Sequence, residues 1–311
     1  MKKQKIAIIG AGICGLYLGW KLAEKGHYVK IFEKKGEIGN SACSGLFSER
    51  ILKHIPEAQN LIKNTIDSAK IHFPKKTITL NFSKRFFVIS HFKLDRLVAK
   101  KAREAGAKIN LSNQISKIPE GFDIVIGCDG PTSTIRQSLD LPNPDFRLGI
   151  LGYEERENFD NFVDTWPVKN GFLWKIPRKE NTEFGVASDV INAKIYFGEF
   201  LKQNNIRLSD RKAKLIPQGL IIPKNKSVTL LGDAAGLTKP WSGGGVIWGL
   251  TACDILSKNF PNLLKFRKEA QKFFSFKIMR SKIITKLVYF FGFNLPWLLP
   301  KKVKIESDYI L

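Results

Sequence analysis

The chain has 311 residues, 43% of them hydrophobic, and a formal net charge of +23. That apolar fraction supports a folded core spread over two lobes and argues against a disordered chain. So large a positive excess favours polyanionic partners: nucleic acid, anionic lipid headgroups or phosphorylated substrates.

The four cysteines, Cys14, Cys43, Cys128 and Cys253, form no C-x-x-C pair and no metal-like spacing with histidine. Neither a disulfide scaffold nor a structural zinc site is expected, no metal ligand is assigned, and a reducing cytoplasm is the expected compartment. The early apolar run at 6–15 is broken by glycines and followed by no cleavage pattern, so a signal peptide is not expected. No uninterrupted apolar stretch reaches the roughly 20 residues needed to span a bilayer.

In chain order, residues 5–9 form a β-branched run stopped by glycine, the signature of a buried parallel strand. Helical periodicity follows over 13–25 and closes at Gly26, and 27–33 is a second strand, completing one βαβ unit. Short strands are expected within 71–89, an amphipathic helix over 93–105, a strand at 107–111 and a buried strand at 124–127. From about Pro142 to Pro223, aromatic and β-branched residues recur between turns, which predicts a sheet-rich lobe with one helix near 191–205. A strand at 227–231 and a helix at 243–256 return to the first pattern. The expected class is therefore α/β: a Rossmann-type nucleotide-binding domain from 1–141 and 224–258, enclosing a substrate-binding lobe at 142–223.

Residues 259–311 form a basic helical tail. Between Leu263 and Lys304 there are eleven Lys and Arg against one acidic residue, Glu269, with aromatics interleaved. The apolar run at 287–299 is too short, and too broken by Asn294 and Pro296, to span a membrane. Two readings stand: a segment lying in an anionic headgroup layer, which places the protein peripherally on the inner face of the cell membrane, or a helical lid on the substrate lobe.

Three glycine motifs carry the chemistry. Gly10-Ala11-Gly12-Ile13-Cys14-Gly15 is a GxGxxG directly after a strand and opening a helix. Its first glycine permits the tight turn, the second lets a pyrophosphate approach the backbone, and the third lets helix and strand pack. The helix start offers unpaired N–H groups to phosphate. Glu33, followed by Lys34, ends the second strand, where a carboxylate can accept hydrogen bonds from ribose hydroxyls. This motif alone does not separate NAD from FAD. Residues 127–136, with Asp129-Gly130, and residues 231–236, with Gly232-Asp233, each follow a strand. They resemble the DG and GD motifs of the p-hydroxybenzoate-hydroxylase-like FAD superfamily. That resemblance implies FAD as cofactor, with Asp233 on the ribityl hydroxyls and Asp129 near the pyrophosphate and ribityl chain. Pro240, Trp241, Gly243, Gly244, Gly245 and Val246 then open a helix whose bare N–H groups suit the pyrimidine edge of a flavin, where reduction places negative charge.

Two further segments, Ser41-Ala42-Cys43-Ser44-Gly45 and Gly171-Phe172-Leu173-Trp174-Lys175-Ile176-Pro177, resemble the geranylgeranyl reductase family. In that family a cysteine-glycine loop faces the flavin and a YxWxFP strand lines the substrate cavity. The resemblance covers most of 1–257 and adds Ser44, Gly45, His91 and Ile115 to the cofactor contacts. It departs at Phe172, which stands where the family has tyrosine, at Ile176, which replaces an aromatic, and at His91, which replaces an arginine. Cys43 is open between an inert buried thiol and a functional one beside the flavin, as proton donor or cavity-shaping group. Phe172 and Trp174 are sheet core or cavity wall, and Trp241 is placed near the isoalloxazine. Lys175 and Arg178 suit either a phosphate headgroup or a solvated surface.

The resemblance implies an FAD-dependent reductase that saturates carbon–carbon double bonds of a geranylgeranyl or polyprenyl group, as a diphosphate or a membrane lipid, drawing on an unidentified electron donor. The alternative is an FAD-dependent monooxygenase acting on an apolar substrate. No RNA-binding signature accompanies the charge, so nucleic acid is not an expected partner.

Overall fold

The computed structural model describes residues 2–39 and 42–305; Ser41 of the cysteine loop lies outside them. The chain begins β1 (Lys5–Ile9), α1 (Ile13–Glu24), β2 (Tyr28–Phe32), β3 (Leu46–Ser48), α2 (Ile51–His54), β4 (Ile62–Phe73) and β5 (Lys76–Ile89). It continues through α3 (His91–Glu104), β6 (Lys108–Asn110), β7 (Ile124–Gly127), α4 (Thr134–Gln137), β8 (Asp145–Glu154), β9 (Phe162–Val168) and β10 (Gly171–Pro177). Then come β11 (Thr182–Asp189), α5 (Ala193–Gln203), β12 (Ser209–Gln218), β13 (Val228–Leu230), α6 (Val246–Asn259), α7 (Leu263–Asn294) and β14 (Lys302–Ile305).

The first sheet has the order β13-β7-β1-β2-β6 and is parallel throughout. Its central strands are apolar on both faces because helices cover both, and Ile6, Ile8, Ile31 and Ile126 are fully buried. This is the Rossmann-type half, and the βαβ unit opens the chain as the sequence predicts.

The second sheet is larger than expected. It has nine strands, ordered β12-β8-β11-β10-β9-β4-β5-β14, with β3 also on β5. The 142–223 segment supplies β8 to β12, but β3, β4 and β5 come from the stretch assigned to the nucleotide half, and β14 from the tail. The reason is pattern length. Residues 62–89 form one hairpin of 12- and 14-residue strands, and two bulges in its register break the period-two signal into fragments that read as short strands. One face of this sheet packs on α5 through Leu173, Phe184, Val186, Phe197 and Leu201. Alternation turns Phe172, Trp174 and Ile176 to the opposite face.

The tail is helical only in part. α7 runs 32 residues, about 48 Å at 1.5 Å per residue. Its first half buries Phe266, Ala270 and Phe274 against the nucleotide half, with Phe274 tilted on Trp248 at 5.5 Å. Its second half crosses to the larger sheet, where Tyr289 Oη donates to the Gly171 carbonyl at 2.7 Å. The helix stops at Asn294 ahead of Pro296, and the chain then adds β14 in parallel to the β5 edge.

Candidate active site

One cavity of about 620 Å³ runs between the two sheets. At its first end lies the β1–α1 turn. Gly10 has φ +103°, and a Cβ there falls 2.3 Å from the Cys128 carbonyl oxygen, so only glycine fits. Gly12 is different: a Cβ on it meets nothing within 4 Å. Gly12 caps α1 without any side-chain hydrogen bond and with no acidic residue in the first turn, so the free N–H groups face the cavity. The Glu33 carboxylate is fixed beside this turn, accepting from the N–H of Ala11 at 2.8 Å and of Lys35 at 3.0 Å.

Further along, Asp129 accepts from the Ile135 N–H at 3.1 Å through Oδ2, while its Oδ1 is buried with no protein partner. Asp233 Oδ2 sits 2.7 Å from Lys214 Nζ on β12, and that carboxylate holds the lysine above its ordinary pKa. Gly245 caps α6, again without a side-chain bond or an acid in the first turn. The far end is apolar. Phe172 lies parallel to Trp241 at 6.2 Å and 5.7 Å from Trp174, and Tyr289 of α7 meets Trp241 edge-on at 5.3 Å.

Cys43 is partly buried in the cavity wall beside His91. Burial pushes its thiol up, but the charge of neighbouring His91, the Gly45 N–H at 3.4 Å and Lys214 together bring it below its ordinary value. His91 Nε2 lies 3.2 Å from Asp95 Oδ1, one turn on along α3. Burial lowers the His91 pKa, and Asp95 and Cys43 overcome that and hold it well above its ordinary value.

Of the residues singled out in the sequence, Gly10, Gly12, Ile13, Cys14, Glu33, Lys34, Cys43, Ser44, His91, Ile115, Asp129 and Gly130 line this cavity. So do Phe172, Trp174, Gly232, Asp233, Trp241, Gly243, Gly244, Gly245 and Val246. Three do not. Gly15 packs under the turn, where a Cβ would lie 2.0 Å from the Gly10 carbonyl oxygen. Gly45 lies against the Ile89 carbonyl, and Pro240 is buried with its carbonyl accepting from Gln218 Nε2 at 3.5 Å. Sequence reasoning missed Lys214, whose only signal is its alternation with Ile216 on β12, and Asp95, whose signal is its spacing of four from His91.

Arg178 is not a solvated surface residue. It is buried, donating through Nε to Glu183 Oε2 at 3.0 Å and through Nη2 to the Ser44 carbonyl, and Trp174 Nε1 donates to Glu183 Oε1 at 2.8 Å. Glu183→Ala therefore leaves Arg178 charged and unpaired, at a cost of about 3 kcal/mol. Urea unfolding checks this, with Arg178→Met/Glu183→Leu expected to recover most of the loss. Equal stabilities of Glu183→Ala and wild type would remove the pair from the account.

These residues fit FAD: a cradle open at Gly12, an unpartnered buried carboxylate oxygen at Asp129, and two uncapped helix starts, for a dinucleotide whose diphosphate is anionic. The fold is that of the FAD-dependent oxidoreductases. Within that class the chain is similar to the geranylgeranyl reductases. Residues 8–58 match the NAD(P)-binding Rossmann-like domain family. Digeranylgeranylglycerophospholipid reductase 2 of Methanothermobacter thermautotrophicus is 24% identical over 78% of this chain and 74% of its own length. Digeranylgeranylglycerophospholipid reductase 1 of Methanosphaera stadtmanae is 24% identical over 83% and 76%. Among solved structures, a geranylgeranyl bacteriochlorophyll reductase-like protein from Thermoplasma acidophilum superposes with a TM-score of 0.80 at 20% identity, covering 92% of this chain and 87% of that one. The flavin-dependent chondrochloren halogenase of a myxobacterium shares the fold, with a TM-score of 0.74 at 13% identity over 99% and 87%.

Proposed function

We propose that this protein is an FAD-dependent reductase that saturates carbon–carbon double bonds of a geranylgeranyl or polyprenyl chain carried on a membrane lipid or a diphosphate. The observation that carries this reading is one continuous cavity whose walls include two uncapped helix starts, Cys43 and the Phe172–Trp174–Trp241 ring cluster. FAD, held by Gly12, Glu33, Asp129, Asp233 and the start of α6, supplies a hydride equivalent when reduced. The chain's own residues do the rest. The ring cluster gives an apolar slot that aligns an isoprenoid and excludes water. Cys43 gives a proton to the second alkene carbon. The names borne by the sequence relatives support a prenylated lipid as the substrate class.

The enzyme works as a peripheral protein on the inner, anionic face of the membrane, with the outer side of α7 in the headgroup layer. Among the described residues no helix is long and apolar enough to cross a membrane. α7 instead exposes Phe276, Ile283, Leu287 and Phe290 along one side, among Lys272, Lys277, Lys282 and Lys286.

The test is to incubate chemically reduced enzyme with a geranylgeranylated phospholipid and weigh the product. A gain of two hydrogens per double bond is expected. A gain of one oxygen, dependent on O₂, would identify a monooxygenase instead and overturn the reading.

A further inference from the structure

Cys43 and His91 belong to two cavities at once. A second pocket of about 310 Å³ shares both residues with the first, and its other walls are mostly polar or charged, with Glu37, Ser90, Tyr153, Arg178 and Lys212 beside Gly39 and Phe92. The two side chains are thus part of the partition between the main cavity and a polar recess. His91 is the first residue of α3, where the helix dipole disfavours an imidazolium; a buried carboxylate one turn away, Asp95, overrides it. With Asp95 at Nε2, the remaining ring nitrogen Nδ1 is buried without a well-formed hydrogen bond, and the ring's other ionisable neighbour is Cys43. Phe47 packs edge-on against the ring at 5.9 Å and fixes its plane.

We propose that His91, oriented by Asp95, is a positioning residue that reloads Cys43 with protons drawn from the polar recess. The proposal rests on the reductase reading, in which Cys43 donates to carbon. The balance is simple. Cys43 gives its proton to the alkene carbon that does not receive hydride, the His91 imidazolium passes its proton to the resulting thiolate, and water in the recess reprotonates the imidazole. The two electrons come from reduced flavin, and no residue changes oxidation state. The charged and titratable groups around this relay are Asp95 on α3, Lys212 and Lys214 on β12, Tyr153 on β8, Arg178 after β10, and Glu37 on the loop before Cys43. Asp95 and Cys43 outweigh burial and hold the His91 imidazole above its ordinary pKa, and the imidazolium with Lys214 draws the Cys43 thiol below its own.

The experiment reads Cys43 itself, not turnover. Iodoacetamide alkylation of the whole protein is followed against pH, with Cys43 modification quantified by peptide mass so that the other thiols do not contribute. The wild-type rate is expected to inflect below the pH of about 8.5 typical of a free thiol. His91→Gln moves the inflection up by about one unit, a ten-fold slower reaction at neutral pH with little change at high pH, and Asp95→Asn moves it part of the way. In His91→Ala, added imidazole enters through the recess and restores the low inflection. An inflection that ignores His91→Gln overturns the pairing, and a shift that imidazole leaves untouched overturns the route. In turnover, reduction slows as pH rises through the raised His91 pKa, and Asp95→Asn brings that fall to lower pH. Wild-type enzyme that gives the alkylation pattern but forms no reduced lipid counts against the substrate reading alone.

Discussion

Gly10→Ala yields a poorly folded protein without flavin, whereas Gly12→Ala yields a well-folded one that binds flavin weakly. The contrast follows from what a single methyl group meets at each position. At Gly10 it strikes the Cys128 carbonyl at 2.3 Å and lies 2.9 Å from the Asp129 Cα, while the backbone holds φ at +103°. Neither obstacle is a side chain that can rotate away. β1 and β7 are adjacent partners in the parallel sheet, so relief requires spreading the centre of the core. Overpacking of this kind costs about 1–3 kcal/mol, with a further 1–2 kcal/mol for the left-handed backbone. At Gly12 the backbone is ordinary, with φ −78°, and the methyl group has open space. It costs the apo fold nothing but occupies the approach to the N–H groups of α1. Thermal melting and flavin titration separate the two. Gly12→Ala should melt within a few degrees of wild type yet bind FAD at least ten-fold more weakly. Unchanged flavin affinity in that variant would mean that the diphosphate is held elsewhere.

The parallel half of the fold was legible because each of its signals is local. A strand, a glycine turn and a helix lie within 25 residues, and the three glycines have three separable physical reasons. The larger sheet was legible only in its middle. β4 and β5 meet β9 and β14 across long sequence separations, and nothing local in 62–89 announces which sheet those strands join. The site divides in the same way. Glycine motifs found the cradle, whereas Lys214 and Asp95 matter through partners brought to them by folding. His91 shows the limit most clearly. Its alignment with an arginine suggested a cofactor contact, and only the fold places it in the cavity wall with Asp95 one turn on and Cys43 beside it. Arg178 was misjudged for a related reason: a cation beside an aromatic strand reads as surface until its buried carboxylate partner, five residues on, is seen across the turn.

Replacing Phe276, Leu287 and Phe290 together by glutamate should weaken binding to anionic vesicles about a thousand-fold while leaving the fold and flavin content intact. All three side chains are at least half exposed, and they lie on one side of α7. Partial insertion of each is worth about 1.5 kcal/mol, and 1.4 kcal/mol is a factor of ten in partitioning. The surrounding lysines add attraction to anionic headgroups that salt weakens, so wild-type protein should float with phosphatidylglycerol vesicles, less so in high salt, and poorly with phosphatidylcholine alone. The opposite side of the same helix is already committed, with Tyr289 bonded to Gly171 and edge-on to Trp241 at the apolar end of the cavity. A helix docked in this way carries the reaction chamber to the lipid surface, so a substrate need not cross water to reach the rings. Two consequences should therefore move together. The triple variant should lose turnover on vesicle-borne substrate, through KM, and retain it on a short-chain, detergent-solubilised analogue. Vesicle binding that survives the three glutamates, or turnover lost equally on both substrates, would show that α7 serves only as a strap between the two sheets.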